Sequence, residues 1–168
     1  MSLYPLESDD RYEIWGGVKL MITPSNTDHG YVKINLSTIV STFVKNNKLG
    51  KVYDAKVPIY LHGDVARNDF RLADFFVAED RLDMVQFKGI YGAPDLLVEI
   101  LSPGKINVHR DRVEKYRLYE HYKVREYWIV SPWDETIEIY HHNGSHYEKV
   151  EQSRLLQGIE LLHEDIFE

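Results

Sequence analysis

Residues 93–130 read APDLLVEILSPGKINVHRDRVEKYRLYEHYKVREYWIV, and their pattern decides the fold. Residues 96–101 form an apolar run broken by one carboxylate, Glu99. Ser102-Pro103-Gly104 closes the run with turn chemistry. A charged amphipathic stretch follows, and residues 127–130 give a second strand-like run. Strand, loop, helix and strand in that order are the sequence form of a βαβ crossover.

Side chains alternate faces along a strand. Asp95, Leu97, Glu99 and Leu101 therefore share one face, and Leu96, Val98 and Ile100 take the other. A strand apolar on both faces belongs in a sheet covered on both sides. An ionised Glu99 is costly there unless a cation or hydrogen bonds compensate it. Either a buried arginine neutralises it, or it lies at a frayed strand end, or it faces a functional cleft.

The remaining composition is that of an ordinary folded chain. Of 168 residues 43% are hydrophobic, and no apolar run approaches the ~18 residues that span a membrane. The length suits one domain, 1–168, with a core of real size. Residues 1–10 are polar and lack the apolar centre of a secretory signal. Without cysteine, disulfides and thiolate metal sites are excluded, and a reducing, cytoplasmic setting is the expectation.

Residues 12–22, YEIWGGVKLMI, place two hydrophobic stretches around Gly16-Gly17, the signal of a two-residue hairpin turn. Residues 23–30 read as a polar loop, with Asp28 capping the next helix. In 31–44, Val32, Leu36, Ile39, Val40 and Phe43 recur at spacings of three and four, one face of a helix packed on a sheet. Gly50 reads as its stop. Residues 52–61 read as a strand with Pro58 inside, hence an edge or bulged strand. Residues 70–78, FRLADFFVA, read as the next strand, again apolar with one carboxylate, Asp74. A short strand or helical turn is expected near 84–87. The helix after Gly104 is expected to begin near His109, with Asp111, Lys115 and Tyr119 on a shared side. Residues 136–141 and 146–150 flank Asn143-Gly144, a strong hairpin turn. His141, His142 and His146 do not read as a zinc site, because adjacent strand residues face opposite ways.

PDLLVEILSP, then Asp111 and Lys115 within HRDRVEKYRLY, then EYWIVSP, closely resemble the Uma2 (DUF820) family. That family is similar to a branch of the PD-(D/E)XK nucleases. YEIWGGVKLMITPSNTDHG resembles its opening strands and loop, and LLQGIELLHEDIFE its closing segment, so nearly the whole chain is covered. The resemblance implies an α/β (α+β) architecture: a restriction-endonuclease-like mixed β-sheet flanked by helices, with extra N-terminal and C-terminal β-hairpins. It also implies an endonuclease that hydrolyses phosphodiester bonds in DNA with Mg²⁺ or Mn²⁺.

Such hydrolysis near neutral pH needs a divalent cation to polarise the phosphate and acidify a water. Mg²⁺ is hard and takes oxygen ligands, often one or two protein carboxylates plus waters. Asp74 and Glu99, on neighbouring strands and turned to one cleft, are the expected pair, with the Ile100 backbone carbonyl as a further oxygen. The nuclease superfamily places a lysine two residues after the acid, and that position here is Leu101. The resemblance implies a migrated lysine on the following helix, Lys115. Read alone, Lys115 is an ion-pair partner of Asp111 one turn away. Ala73 is a second departure, standing where the motif has proline. Pro94-Asp95 preserves that dipeptide, but Asp95 lies ~6–7 Å along the strand from Glu99 and is an outer candidate. Glu13 is an outer carboxylate. His29 matches a histidine of the family's opening loop, and Ser102 follows the strand acid as it does in the family.

The net charge of −7 is unevenly spread: residues 31–57 and 105–125 each carry a balance of +4. These segments are either the walls of a phosphate-facing groove or two solvated helix faces. Restriction-like folds pair active sites to cut two strands, so a homodimer is expected. Trp128, Trp133, Tyr140 and Tyr147 are the candidates for its interface. A catalytically inactive nucleic-acid-binding or assembly module on the same fold is the alternative, since fold does not fix function.

Overall fold

The computed structural model describes residues 11–168; the polar stretch 1–10, read above for a secretory signal, lies outside them. Strands β1 (Tyr12–Trp15) and β2 (Val18–Met21) form the expected hairpin, with Trp15 opposite Val18. Its tight turn requires positive φ at both central residues, supplied by Gly16 at 54° and Gly17 at 87°. Helix α1 (Thr27–Asn46) starts a turn earlier than the apolar periodicity implied. Asn26, not Asp28, is the cap, its side chain accepting the His29 N–H at 2.9 Å. His29 is therefore a helical residue rather than a loop residue.

Strand β3 (Gly50–Tyr53) and strand β4 (Ile59–Tyr60) replace the single strand expected over 52–61. A turn at 54–57 and Pro58, which has no N–H to give a ladder, send the two halves into different sheets. Strand β5 (Asp74–Ala78) is likewise shorter than the run 70–78. Phe70 and Arg71 make isolated bridges to Ile14 and Ile59 instead. A 3₁₀ turn (Glu79–Met84) leads into β6 (Val85–Gln86) and β7 (Gly89–Tyr91). Strand β8 (Leu96–Ile100) is the central strand expected from the sequence. The helical run after it starts at Lys105, not near His109: α2 (Lys105–His109), a π-helical segment (Arg110–Lys115) and α3 (Tyr116–His121) follow without a break. Strands β9 (Glu126–Ser131), β10 (Thr136–His142) and β11 (Tyr147–Val150) and helix α4 (His163–Phe167) complete the chain.

Six strands form the main sheet in the order β11-β10-β9-β8-β5-β3, and β4-β7-β6 form a second, smaller one. Strands β8 and β9 run parallel and the other main-sheet neighbours antiparallel. The expected crossover is therefore present. Alternation sorts the residues of β8 as read from the sequence. Leu96, Val98 and Ile100 pack with Val32, Leu36 and Val40 of α1 and with Ile166 of α4. Leu97 and Leu101 pack on the other face with Tyr119, Tyr127 and Ile129, and with Ile59 and Ile90 of the small sheet. Each buried aliphatic contributes ~1.5–3 kcal/mol, so reversing this register would turn the whole stripe the wrong way.

Two residues hold the sheet's margins for reasons periodicity does not reveal. Glu126 is buried and accepts hydrogen bonds from Trp128 Nε1, Ser153 Oγ and the N–H groups of Arg154 and Leu155, pinning the 153–155 loop to β9. Gly50 is not the stop of α1, whose C-cap is Asn47. A Cβ on Gly50 would stand 2.0 Å from the Val77 carbonyl oxygen, and its φ is +152°. Of the aromatics expected at a dimer interface, Trp128 and Tyr147 are buried in the core and unavailable, whereas Trp133 is exposed. No described helix is long and apolar enough to cross a membrane.

Gly50→Ala must push β3 off β5. It should lower stability by about 2 kcal/mol or more in denaturant unfolding, and an unchanged midpoint would show that β3 swings away freely.

Candidate active site

Glu99 meets its compensating cation in Lys115. The ammonium lies 2.6 Å from Glu99 Oε1, 3.0 Å from Glu13 Oε1 and 3.8 Å from Asp111 Oδ1, and the lysine is only 4% exposed. It thus points inward from the helix, and its contact with Asp111 is the longest of the three. The hydroxyl of Tyr119 donates to the same Glu99 oxygen at 3.1 Å. Glu13, on β1, accepts the Leu72 N–H and the Trp15 indole N–H, both at 2.8 Å.

Winding aims the lysine. Asp111 and Lys115 both lie in the π-helical segment, a form that recurs at functional sites. The Tyr127 hydroxyl, buried on β9, donates to the Asp111 carbonyl at 2.7 Å. A side chain inserted against the ladder of a helix is a recognised cause of such irregular winding.

Three carboxylates around one ammonium leave an excess of negative charge in a buried place. Burial pushes the Glu99 carboxyl up to about 8, against the pull of Lys115 and with the help of Asp111 and Glu13. Burial likewise pushes Asp111 upward. At Glu13 burial acts upward too, but the Lys115 charge and the donors Leu72 and Trp15 outweigh it and hold the carboxyl low. Lys115 is itself disfavoured by burial, yet the three carboxylates dominate and keep it charged.

Glu99 opens on a cavity of about 90 Å³ whose wall also includes Glu13, Asp74, Ile100, Ser102 and Asp111. That space holds a few waters or a small hydrated group. Asp74 reaches it from the other side of the sheet. In the β5–β8 register Asp74 stands opposite Val98, so it shares the α1 face, while Glu99 shares the α3 face. Pairing of β5 with β8 ends at Asp74–Val98, and the cavity lies in the split beyond. The two acids therefore meet one cavity from opposite faces rather than side by side. Asp74 accepts the Ala55 N–H at 3.0 Å and lies 3.6 Å from Lys33 Nζ. Burial raises its pKa, with Lys33 opposing.

His29 lines the same cavity, and its buried Nδ1 has no hydrogen-bond partner among the described residues. Burial lowers its pKa, and the Ile100 backbone beside the ring opposes that shift. Asp95 is not brought to the cavity. It is fully buried beyond the opposite end of β8, where it accepts from Arg81 at 2.7 Å and from the Ala78 N–H. The histidines of the C-terminal hairpin also have other partners: His141 meets Glu126 and His142 the Glu120 carbonyl. Sequence reading did not single out Lys33, Arg11 and Arg110 on the cavity wall or the Tyr127 hydroxyl, whereas Tyr119 is on the shared helix side with Asp111 and Lys115 that the spacing gave. Lys33 falls one turn after His29, so helical spacing was a usable signal for it.

No group of three His, Asp or Glu residues among those described is arranged to cage a metal ion by itself. Mg²⁺ commonly needs only one or two protein carboxylates, with water and substrate oxygens completing its shell. The Asp74 and Glu99 carboxylates meet that requirement, on a wall where the acids Glu13, Asp74, Glu99 and Asp111 face the basic side chains Arg11, Lys33, Arg110 and Lys115, with His29 beside them.

Comparison with curated proteins returns no match. A family model, Uma2, described as "Putative restriction endonuclease", matches residues 1–168. Among solved structures, a putative nuclease belonging to DUF820 from Anabaena variabilis ATCC 29413 is similar with a TM-score of 0.72 and 14% identity, over 96% of this chain and 92% of that one. At that identity the likeness speaks for the fold. The match along the full chain, on a mixed sheet flanked by helices, places the protein: it belongs to the Uma2 family.

Proposed function

We propose that this protein is a metal-dependent endonuclease acting on DNA phosphodiester bonds. The observation that carries the reading is the buried Lys115–Glu99 pair opening on a cavity that Asp74 also lines. Asp74 and Glu99 are the residues to hold Mg²⁺ or Mn²⁺, with the Ile100 carbonyl as a third oxygen. A divalent cation bound there supplies an acidified water and draws charge off the phosphate. Lys115 stabilises hydroxide and the charge that grows on the phosphoryl oxygens. Glu13 fixes the ammonium and Tyr119 fixes the carboxylate, so neither group must reorganise during the reaction.

One feature favours the non-catalytic alternative: Lys115 already supplies Glu99 with a cation. Cleavage assays separate the two readings, because a binding module would hold DNA without cutting it.

Calorimetry with Mn²⁺ should show binding to the wild type that Asp74→Asn and Glu99→Gln each abolish. Equal binding by all three proteins would remove the metal site.

Lys115→Met should abolish plasmid cleavage, but it also leaves buried carboxylates unpaired and should cost about 3–5 kcal/mol of stability. Lys115→Met/Asp111→Asn removes one charge of each sign and is the better test. It should remain folded by circular dichroism, bind Mn²⁺ and fail to cut; undiminished cutting would end the catalytic reading of Lys115.

Tyr127→Phe keeps the ring but frees the Asp111 carbonyl. It should cost about 1 kcal/mol and slow cleavage several-fold while Mn²⁺ affinity stays unchanged. Wild-type rates would show that the π segment holds Lys115 without the hydroxyl.

A further inference from the structure

We propose that the substrate is B-form duplex DNA, with α2 seated in its major groove and the backbone passing over Asn107 and Arg110 into the cavity. The inference rests on the nuclease reading above and adds the class of nucleic acid and the element that receives it.

Helix α2 stands between two shallow grooves, and Lys105 and His109 border both, so they form its crest. Ile106 beside them is 79% exposed and has no place in any core cluster. The next positions of the same helical run, Asn107 and Arg110, belong to the cavity wall. A polyanion reaching the cavity from this side therefore crosses a basic crest with an aliphatic tip. Glu114 is the acid in these grooves, and Arg112 is engaged by Glu138.

Shape and side-chain type choose among nucleic acids. A B-form major groove is wide enough to admit a helix, and an aliphatic side chain suits the thymine methyl exposed there. The deep, narrow major groove of A-form RNA does not admit one. Single strands are held on aromatic platforms. No Phe, Tyr or Trp lines the cavity or either groove among the described residues. The duplex is what this surface fits.

Fluorescence anisotropy in Ca²⁺ buffer should compare a two-turn DNA duplex, its separate strands and an RNA duplex of the same sequence. The wild type should bind the DNA duplex about tenfold tighter than the other two. Lys105→Ala should weaken duplex binding several-fold and reduce the slope of log affinity against log salt by about 1. Ile106→Asp should weaken it by about tenfold, with the unfolding midpoint of both variants unchanged because both residues are exposed. Wild-type affinity and salt slope in both variants would overturn the placement of α2. Preference for the single strands or the RNA duplex would overturn the substrate class. A wild type that binds none of the three would remove the nuclease reading beneath, a failure distinct from either.

Discussion

Lys115 is held between Glu13 of β1, Glu99 of β8 and Asp111 of its own helical run, and this one buried ammonium joins three parts of the chain. The β1–β2 hairpin needs such a tie. An isolated two-stranded hairpin is marginal in water. Here a bridge to Phe70, a small cluster of Ile14, Tyr60, Phe70 and Leu72, and the Arg71 guanidinium, which donates to the Ile14 carbonyl and lies over the Trp15 ring, are among its other anchors. The Glu13 carboxylate adds the Leu72 N–H and the Lys115 charge to them. Removing one member of such a buried set is far more damaging than losing a surface pair, because the partners stay behind uncompensated. The groups proposed to do chemistry thus also hold the hairpin to the sheet.

Strand geometry imposes the second constraint. Neighbouring residues of β8 face opposite ways, so a β5 residue paired with Val98 cannot share a face with Glu99. Asp74 and Glu99 can border a common space only where the ladder has ended. The β5–β8 ladder ends at Asp74, and Leu72 there gives its N–H to Glu13 instead of to β8. The cavity is the volume released by that early parting of strands. A fully paired β5 would keep the two carboxylates apart on separate faces of the sheet.

This explains which features the sequence made legible. The crossover around β8 and both hairpins were readable because strand alternation, Gly16-Gly17 and Asn143-Gly144 are local signals with a local cause. Glu99 could be singled out because a lone acid in an apolar run demands a partner, and the partner proved to be Lys115. The split of 52–61 between two sheets was not readable. Pro58 announces an interruption but not which sheet receives each half. The start of α1 was misplaced because Asn26 and Asp28 are equally good caps, and only the fold decides between them. Asp95 shares a strand face with Glu99 and could be kept only as an outer candidate from the sequence. Arg81 at one end and Lys115 at the other separate them, and those partners come from distant segments.

The displaced lysine follows from the same packing. Position 101, where the parent motif carries lysine, holds a leucine that is 1% exposed and packs with Tyr119, Tyr127 and Ile129. Glu99 on the same face has Lys115 and Tyr119 as partners, whereas Leu101 sits inside an apolar cluster, so a charged group at 101 would need partners of its own there. A lysine on the helix avoids this conflict but depends on winding: its direction turns with every residue of the run. In an α-helix, hydrogen bonds inside the helix fix that winding. In the π segment the Asp111 carbonyl is also held from outside, by the Tyr127 hydroxyl of β9. The orientation of Lys115 is therefore set partly by the strand that receives the crossover, and the helix, both parallel strands and the cavity form one mechanical unit.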